Sequence, residues 1–267
     1  MFQRCPRKFY YRYVLGLEVP KTKHMEFGTD FHKMMQAAYS AIRDKSDPII
    51  AAHAAGSNDP LLHDVFDYYW EHVGSKDEFD EILSVEEPVN VVVGDARVKA
   101  MFDLTAYRGG RTVLMDHKTV TTIAEEYLFL PLDFQVRMYS YLAHTTYPGE
   151  VDFIYNIVRR EVPPGFGSRS EKTKSGRPSK ASQRPEDYLK RIRLTMSRTE
   201  VEAFRDRIDE LTWAMKRAAN SGVYLRVPIK SGGEACGRCP YYTPCVAEMR
   251  GQVLDKGMLS MIYSTHE

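Results

Sequence analysis

Long apolar runs are missing from this 267-residue chain. No stretch approaches the ~20 residues that a membrane span needs. The opening MFQRCPRKFYYRYV is charged and aromatic where a secretory leader needs a continuous apolar segment. These absences point to an intracellular, cytoplasmic protein with no membrane partner. An excess of one charge is missing too. Thirty-seven Lys and Arg stand against 36 Asp and Glu, a net charge of +1, so contact with nucleic acid must rest on local patches. The chain has no G-x-x-x-x-G-K-[ST] phosphate loop, which excludes a recognisable helicase motor of its own. Cysteine is scarce, with four residues. In a reducing compartment these read as metal ligands or free thiols rather than two disulfides. Cys236, Cys239 and Cys245 form C-x2-C-x5-C, while Cys5 stands alone more than 200 residues earlier.

What is present is an ordinary core-forming composition, 43% hydrophobic and 27% charged, enough for one large domain over 1–267 or one domain with a small appendage. Its most informative stretch is Val98 to Val120, VKAMFDLTAYRGGRTVLMDHKTV. Two runs rich in β-branched and apolar residues flank Gly109-Gly110, a dipeptide suited to the positive φ of a tight hairpin. With those glycines as the loop, opposed residues have numbers summing to 219, which places Asp103 across from Asp116. Lys118, two residues on, shares their face. Phe102, Leu104, Val113 and Met115 form the opposite, core-facing side. Two carboxylates about 5 Å apart repel by roughly 3 kcal/mol at an effective dielectric near 20. A divalent cation with oxygen ligands would offset that, and Asp, Asp and Lys on one face form a constellation for metal-assisted phosphodiester cleavage. From the hairpin alone, a solvated charged face balanced by Lys99 remains the alternative.

Ahead of the hairpin, Arg7 to Leu15 reads as a short helix ended by Gly16. Its alternating basic and aromatic residues suit either nucleic-acid contact or core aromatics with snorkelling Arg and Lys. Gly28-Thr29-Asp30 looks like a helix start, with an apolar stripe of Phe31, Met34, Met35, Ala38, Tyr39 and Ile42 and with His32 just off it. Ala51 to Pro60 is loop-like, and Leu61 to Val73 is a second amphipathic helix carrying Val65, Phe66, Tyr69 and Trp70. Ile82 to Val93 reads as one strand or two, interrupted at Pro88, with a turn at Gly94-Asp95. Glu86 and Glu87 lie on it, either leaning toward a metal or serving as surface charges.

After the hairpin, Pro131 to His144 carries Gln135 and Tyr139 at i, i+4, on one helical face. Val151 to Val158 is a buried strand that completes a strand, helix, strand crossover, making the architecture α/β with a mixed sheet. Arg159 to Arg193 holds eleven Lys or Arg against four acidic residues. It reads as a flexible loop entering a helix, either suited to a phosphate backbone or simply solvated. Ser197 to Asn220 is a long helix with a stripe of Val201, Phe204, Ile208, Leu211, Met215 and Ala218. Gly222 ends it, and Gly232-Gly233 opens the cysteine loop.

Together these pieces resemble the PD-(D/E)XK nuclease superfamily, in its RecB-like, CRISPR-associated-exonuclease-like branch with an iron-sulfur cluster. The resemblance covers nearly the whole chain. It runs through Cys5-Pro6-Arg7-Lys8-Phe9-Tyr10, Gly28-Thr29-Asp30-Phe31-His32, Asp103, Asp116-His117-Lys118, Gln135-x-x-x-Tyr139 and the closing Cys236, Cys239 and Cys245. It implies a restriction-endonuclease-like α/β core, a mixed central sheet flanked by helices, with the chain's two ends joined by a metal cluster. His32, Asp103 and Asp116 would hold Mg²⁺ or Mn²⁺, with the His117 backbone carbonyl as a further ligand. Lys118 would position or activate the attacking water, while Gln135 and Tyr139 would help place the DNA strand or Lys118. One departure is visible: the family's usual Pro-Asp is Phe102-Asp103 here.

The resemblance also implies that Cys5, Cys236, Cys239 and Cys245 hold a [4Fe-4S] cluster in a subregion formed by 1–20 and 221–250, with 159–193 as a basic insertion. Tetrahedral Zn²⁺ is the competitor for four thiolates, although zinc sites more often use two C-x2-C knuckles. The expected activity is metal-dependent DNA hydrolysis, exonucleolytic on single strands or duplex ends, in recombination, repair or CRISPR adaptation. A helicase or other DNA-processing proteins are the expected partners. The alternative is a catalytically silent DNA-binding or scaffold subunit of a larger complex. No acidic residue or lysine of the set is missing, which argues against it.

Overall fold

In the computed structural model of the chain, all residues are described except 95, 124, 148, 231–234, 256, 258, 260–262, 266 and 267. The chain starts with α1 (Pro6–Phe9), a π-helical turn over Tyr10–Val14 and the short strand β1 (Leu17–Glu18). Gly16, at φ 66°, makes the turn into that strand. Three helices follow: α2 (Lys23–Arg43), α3 (Pro48–Ala55) and α4 (Pro60–His72). The last two begin alike, with Asp47 and Asp59 accepting backbone amides at the N-cap and a proline in the first turn. Next come β2 (Glu81–Val93), β3 (Ala96–Arg108), β4 (Arg111–Val120), α5 (Phe134–Thr146) and β5 (Val151–Arg159). The chain continues through β6 (Leu189–Thr195), α6 (Arg198–Glu202), α7 (Arg205–Ser221), α8 (Tyr242–Met249) and β7 (Ser264–Thr265).

These elements form two compact units: Lys23–Asp206, and Met1–Thr22 together with Arg207–Glu267. The larger unit is built on a five-stranded sheet in the order β2-β3-β4-β5-β6. Its pairs are antiparallel except for β4 and β5, which run parallel through the α5 crossover. This is the expected mixed sheet flanked by helices. The hairpin register is the expected one, from Arg108↔Arg111 to Leu104↔Met115, with Gly109 and Gly110 at φ 58° and 77°.

On one face of the sheet, the α2 stripe of Phe31, Met34, Met35, Ala38 and Tyr39 and the α4 residues Val65, Phe66, Tyr69 and Trp70 pack against Leu104, Ala106, Val113 and Met115. Burying one such side chain stabilises by roughly 2 kcal/mol. The other face is covered by α5, which buries Val136, Tyr141, Leu142 and Ala143. Phe102 belongs on that side, its ring edge-on to Tyr139 at 5.0 Å. Strict alternation would have put it with Leu104. Strand β3 therefore departs from a regular pleat at Asp103, where the ladder to β4 ends.

Several boundaries differ from the sequence reading. Helix α2 starts at Lys23, not at Gly28-Thr29-Asp30. Thr29 Oγ1 bonds back to the Met25 carbonyl at 2.9 Å, a mid-helix bond rather than a cap. The first half of the segment read as a loop from Ala51 to Pro60, Ala51 to Ala55, is the end of α3. Strand β2 runs through Pro88 without interruption, as an edge strand allows. Helix α5 starts after Asp133, whose side chain caps Gln135 and Val136, and Pro131 lies in a preceding 3-10 segment. The 159–193 run enters a strand, β6, rather than a helix. The long helix from Ser197 is two, α6 with a Ser197/Glu200 capping box and α7, broken at Ala203-Phe204. Asp95 and the Gly232-Gly233 loop opening lie outside the described residues.

The smaller unit brings both chain ends together. Strand β1 pairs antiparallel with β7, and Tyr11 stacks on Tyr241 at 5.5 Å. The Tyr241 hydroxyl donates to the Leu17 carbonyl at 2.7 Å. Arg7 lies over the Tyr10 ring and pairs with Glu248, which also meets Arg226 at 2.7 Å. Of the two readings of the N-terminal segment, core aromatics with a snorkelling Arg describes Arg7 and Tyr11.

Candidate active site

Four elements of the larger unit converge where β3 leaves its regular pleat. Helix α2 supplies His32, the edge strand β2 supplies Glu86, β3 supplies Asp103, and β4 supplies Asp116 and Lys118. His32 Nδ1 lies 3.2 Å from Glu86 Oε1 and 3.4 Å from Asp103 Oδ2. One ligand atom from each of these three residues falls within 4.8 Å of the others. Glu86 reaches the group because its backbone takes φ 52°, a left-handed conformation rare for a non-glycine residue. The pairing on either side, Val85↔Leu104 and Glu87↔Phe102, keeps its register, so the distortion turns one side chain. Glu87 stays on the surface, paired with Arg43 at 3.4 Å.

Asp103 and Asp116 are 9% and 7% exposed, which rules out the solvated charged face. Asp103 Oδ2 also accepts the His117 backbone amide at 2.6 Å, tying β3 to β4 just past the end of their ladder. Asp116 Oδ1 accepts from Gln135 Nε2 at 3.2 Å. Burial, then the charge of Asp103, raises the Asp116 carboxyl to about 7, while the charges of His32 and Lys118 pull the other way. Burial disfavours charge on His32 as well, yet its bonds to Asp103 and Glu86 prevail and lift its pKa to about 10. Without a metal, an imidazolium thus bridges two carboxylates, and a third carboxyl beside them holds its proton near neutrality. Such a set fits a divalent cation: hard oxygen donors, one imidazole, and a charge imbalance that a cation relieves.

Lys118 is exposed on β4, with its ammonium acting on Asp116. Gln135 and Tyr139 lie one turn apart on α5. Burial, then the charges of Asp116 and Asp103, pushes the Tyr139 hydroxyl up to about 12, so it remains a hydrogen-bond donor. The sequence-derived set is therefore assembled in one place, and Glu86 joins it. His117 has a different setting: its ring is 1% exposed, stacked on Tyr39 at 5.9 Å and edge-on to Tyr69 at 5.7 Å. Burial lowers its pKa to about 4, so the ring is neutral.

Beneath His117 runs a polar network that sequence reasoning missed. Asn156 Nδ2 lies 3.3 Å from His117 Nδ1, and Asn156 Oδ1 accepts from Arg191 Nε at 2.7 Å. Arg191 pairs with Asp77, whose side chain is 1% exposed, and bonds the Tyr69 hydroxyl at 3.1 Å. Tyr39 donates to Asp77 at 3.0 Å. This network fixes the strand that carries Asp116 and Lys118. Arg191 belongs to the basic run read as a phosphate-tracking loop, and several others of that run are also engaged. Arg159 and Arg169 both pair with Glu161 at 2.6 Å, and Arg184 pairs with Asp187 at 3.0 Å. Lys172, Lys174, Arg177 and Lys180 stay exposed around a bridge between Lys172 and Pro178.

Cys5, Cys236, Cys239 and Cys245 all lie in the smaller unit and are all free thiols. Burial raises the Cys239 thiol, and Cys5 and Cys236 are near enough to add to the rise. Among the described residues no three of the four come within 4.8 Å of one another. Tetrahedral zinc, at ~2.3 Å from each sulfur, would need them ~4 Å apart. The expected metal cluster thus has no close thiol grouping to support it directly.

The profile of the PD-(D/E)XK nuclease superfamily matches residues 1–246, and the chain belongs to that superfamily. Its members are nucleases, and divalent metal at an acidic site is their general chemistry. Among solved structures, the chain is similar to that of a candidate exonuclease from Eubacterium rectale, with a TM-score of 0.48 and 11% identity over 90% of this chain and 78% of that one. No curated protein matches the chain. Among the described residues, no helix is long and apolar enough to cross a membrane.

Proposed function

We propose that the protein is a divalent-metal-dependent deoxyribonuclease of the RecB-like branch, degrading DNA from single-stranded or duplex ends in recombination, repair or CRISPR adaptation. The observation that carries this reading is the gathering of half-buried His32 and Glu86 with buried Asp103 and Asp116, and with Lys118 beside them. Two nearly buried carboxylates and a third, held by a bridging imidazolium, are costly to a fold that does not use them. His32, Glu86, Asp103 and Asp116 would hold Mg²⁺ or Mn²⁺, with the His117 carbonyl as a further candidate. Bound there, the metal supplies Lewis acidity toward the phosphate and lowers the pKa of a water. Lys118 orients the attacking water and offsets charge developing on the phosphate. Gln135 holds the Asp116 carboxylate in place, and Tyr139 donates a hydrogen bond toward the strand or Lys118.

On this reading Cys5, Cys236, Cys239 and Cys245 would also hold a [4Fe-4S] cluster, closing the ends of the chain as a structural staple. Supporting it are the gathering of all four cysteines in one unit and the electrostatic proximity of Cys5, Cys236 and Cys239. Iron and labile sulfide, assayed on anaerobically purified protein, should be present in equal amounts and be lost on replacing Cys236 with Ser. A helicase or another DNA-processing protein would supply the ends.

The exonuclease reading is tested with end-labelled linear single strands, duplexes and covalently closed single-stranded circles, with Mg²⁺ or Mn²⁺. Mononucleotides or short oligonucleotides should be released from linear substrates while circles survive. Equal loss of circles and linear strands would show endonucleolytic cleavage instead. No digestion of any DNA would defeat the deoxyribonuclease reading.

A further inference from the structure

Strand β4 ends two residues beyond Lys118, at Val120, in register with Arg159 at the end of its parallel neighbour β5. Arg160 is the first residue past that edge. Its amide donates to the Val120 carbonyl at 2.9 Å, and its guanidinium donates to the Thr121 hydroxyl. Open α/β sheets bind ligands at the carboxyl ends of their parallel strands. A cavity of about 610 Å³ lies at this edge, walled by Lys23, His24 and Phe27 of α2, by Leu61 of α4, and by Thr121 and Arg160. That volume is within the ~300–1,000 Å³ of small-ligand sites. Helix α2 approaches closely here because of Gly28, where a Cβ would stand only 3.2 Å from Thr119 Oγ1.

The charges around the cavity are of both signs, but its two cations are not neutralised by ion pairs. Of its carboxylates, Asp30 is held by Lys33 at 2.8 Å, and Glu161 is shared by Arg159 and Arg169. Asp59 is occupied in capping α4 through the Leu61 amide at 3.0 Å. Asp59 keeps its charge in doing so, and Glu26 likewise has no cation within ion-pair distance among the described residues. Facing it, Arg160 and Lys23 have no carboxylate within ion-pair distance among the described residues, whereas Arg159, Arg169, Arg184 and Arg191 of the same basic run are all ion-paired. Burial without a counter-charge also lowers the Arg160 pKa. A guanidinium that spends one donor on a hydroxyl keeps others free for a bidentate contact with an oxyanion.

We propose that this cavity is a nucleotide-phosphate subsite, in which Arg160, set by Thr121, receives a phosphate of the strand being cut, with Lys23 opposite and Phe27 and Leu61 against the sugar or base. The inference rests on the nuclease reading and adds to it where the strand runs beyond the scissile bond. Arg160 is a binding residue here, not a catalytic one.

The test uses the full chain carrying Asp116→Asn, so that DNA stays uncut, with labelled oligonucleotides followed by anisotropy across a salt series in Mg²⁺. Adding Arg160→Gln should weaken binding about tenfold and flatten the slope of log K against log salt by ~0.7, one phosphate contact on a single strand. Arg160→Lys should keep the slope, and an unchanged melting temperature shows that the fold is retained. Loss shared by 5′-phosphoryl, 5′-hydroxyl and 3′-phosphoryl strands supports the subsite and assigns it to an internal backbone phosphate. Loss confined to one phosphorylated end supports it and assigns it to a terminal phosphate. Unchanged affinity and slope for Arg160→Gln overturn the subsite alone. A parent protein that binds no DNA, with a wild type that cuts none, overturns the deoxyribonuclease reading and the subsite together; a parent that binds none beside a wild type that cuts DNA overturns the subsite alone.

Discussion

Replacing Asp116 with Asn is expected to stabilise the metal-free protein at neutral pH while removing its activity. Asp116 is 7% exposed on β4, and burial, followed by the charge of Asp103, lifts its carboxyl from 3.8 to about 7. A carboxyl whose folded pKa lies above its unfolded one is better held when protonated. Folding is therefore penalised progressively as pH rises from about 4 to 7, and the full penalty is present above that. At ~1.4 kcal/mol per pKa unit, the ionised group costs about 4 kcal/mol at pH 8 and about 2 kcal/mol at pH 5. Asn drops the charge and keeps an oxygen for Gln135 Nε2, 3.2 Å away. At about 2–4 °C per kcal/mol for a unit of this size, the variant in EDTA should melt roughly 8–15 °C above wild type at pH 8. The gap should shrink by about half at pH 5. Adding Mn²⁺ should raise the wild-type midpoint and leave the variant nearly where it was, because ligand binding stabilises only a fold that can bind. A thermal melt at the two pH values, with and without metal, reads all of this. A variant that melts at or below wild type at pH 8 in EDTA, or a gap that does not narrow at pH 5, would refute the reasoning.

Metal binding should release protons, because His32, lifted to about 10, and Asp116, lifted to about 7, must deprotonate to serve as ligands. Calorimetry in buffers of different ionisation enthalpy should count roughly two protons per ion at pH 6 and roughly one at pH 8.5, with affinity rising with pH; heats independent of buffer would contradict this. Glu86→Gln should weaken Mn²⁺ binding about tenfold or more, ~1.4 kcal/mol, whereas Glu87→Gln should leave it unchanged; equal effects of the two would remove Glu86 from the site. Asp77→Asn leaves Arg191 buried without its counter-charge and should cost about 3–5 kcal/mol of stability in urea unfolding. Phe66→Ala should cost about the same through the cavity it opens under α2 and α4. A change below 1 kcal/mol in either would show that the corresponding packing is absent in solution.

The hairpin was legible because its information is local. Two adjacent glycines fix the turn, the turn fixes the register, and the register sets Asp103 near Asp116 and Lys118. The stripe of α2 and the Gln135/Tyr139 pair were legible for the same reason, since each is one helical period read along the chain. Glu86 was harder, because a left-handed backbone at a glutamate leaves no mark in its residue type; only its place on the strand preceding the hairpin hinted at it. The Asp77, Arg191, Asn156 and His117 network joins residues 35 to 114 positions apart in the chain, beyond the reach of any periodicity. The 159–193 run shows the limit of charge counting. Its eleven cations look alike in sequence, yet Arg159, Arg169, Arg184 and Arg191 are bound to carboxylates while Arg160 is not. The start of α2 was misplaced because Thr29, which reads as a cap, bonds back to the Met25 carbonyl inside the helix, and the break before α7 was missed because it lies at Phe204, which is buried against Phe134 of α5.

The most direct test of the central claim, that the buried carboxylates and Lys118 form a metal-dependent phosphodiester-cleaving site, is nucleotide release from labelled single-stranded DNA by wild type and Lys118→Ala in Mn²⁺, with Mn²⁺ affinity measured on the same samples. Lys118 is exposed and is not needed for the fold, so the variant should bind metal as wild type does and release nucleotides at least ~10²-fold more slowly. Release at the wild-type rate, with metal bound, would contradict the account.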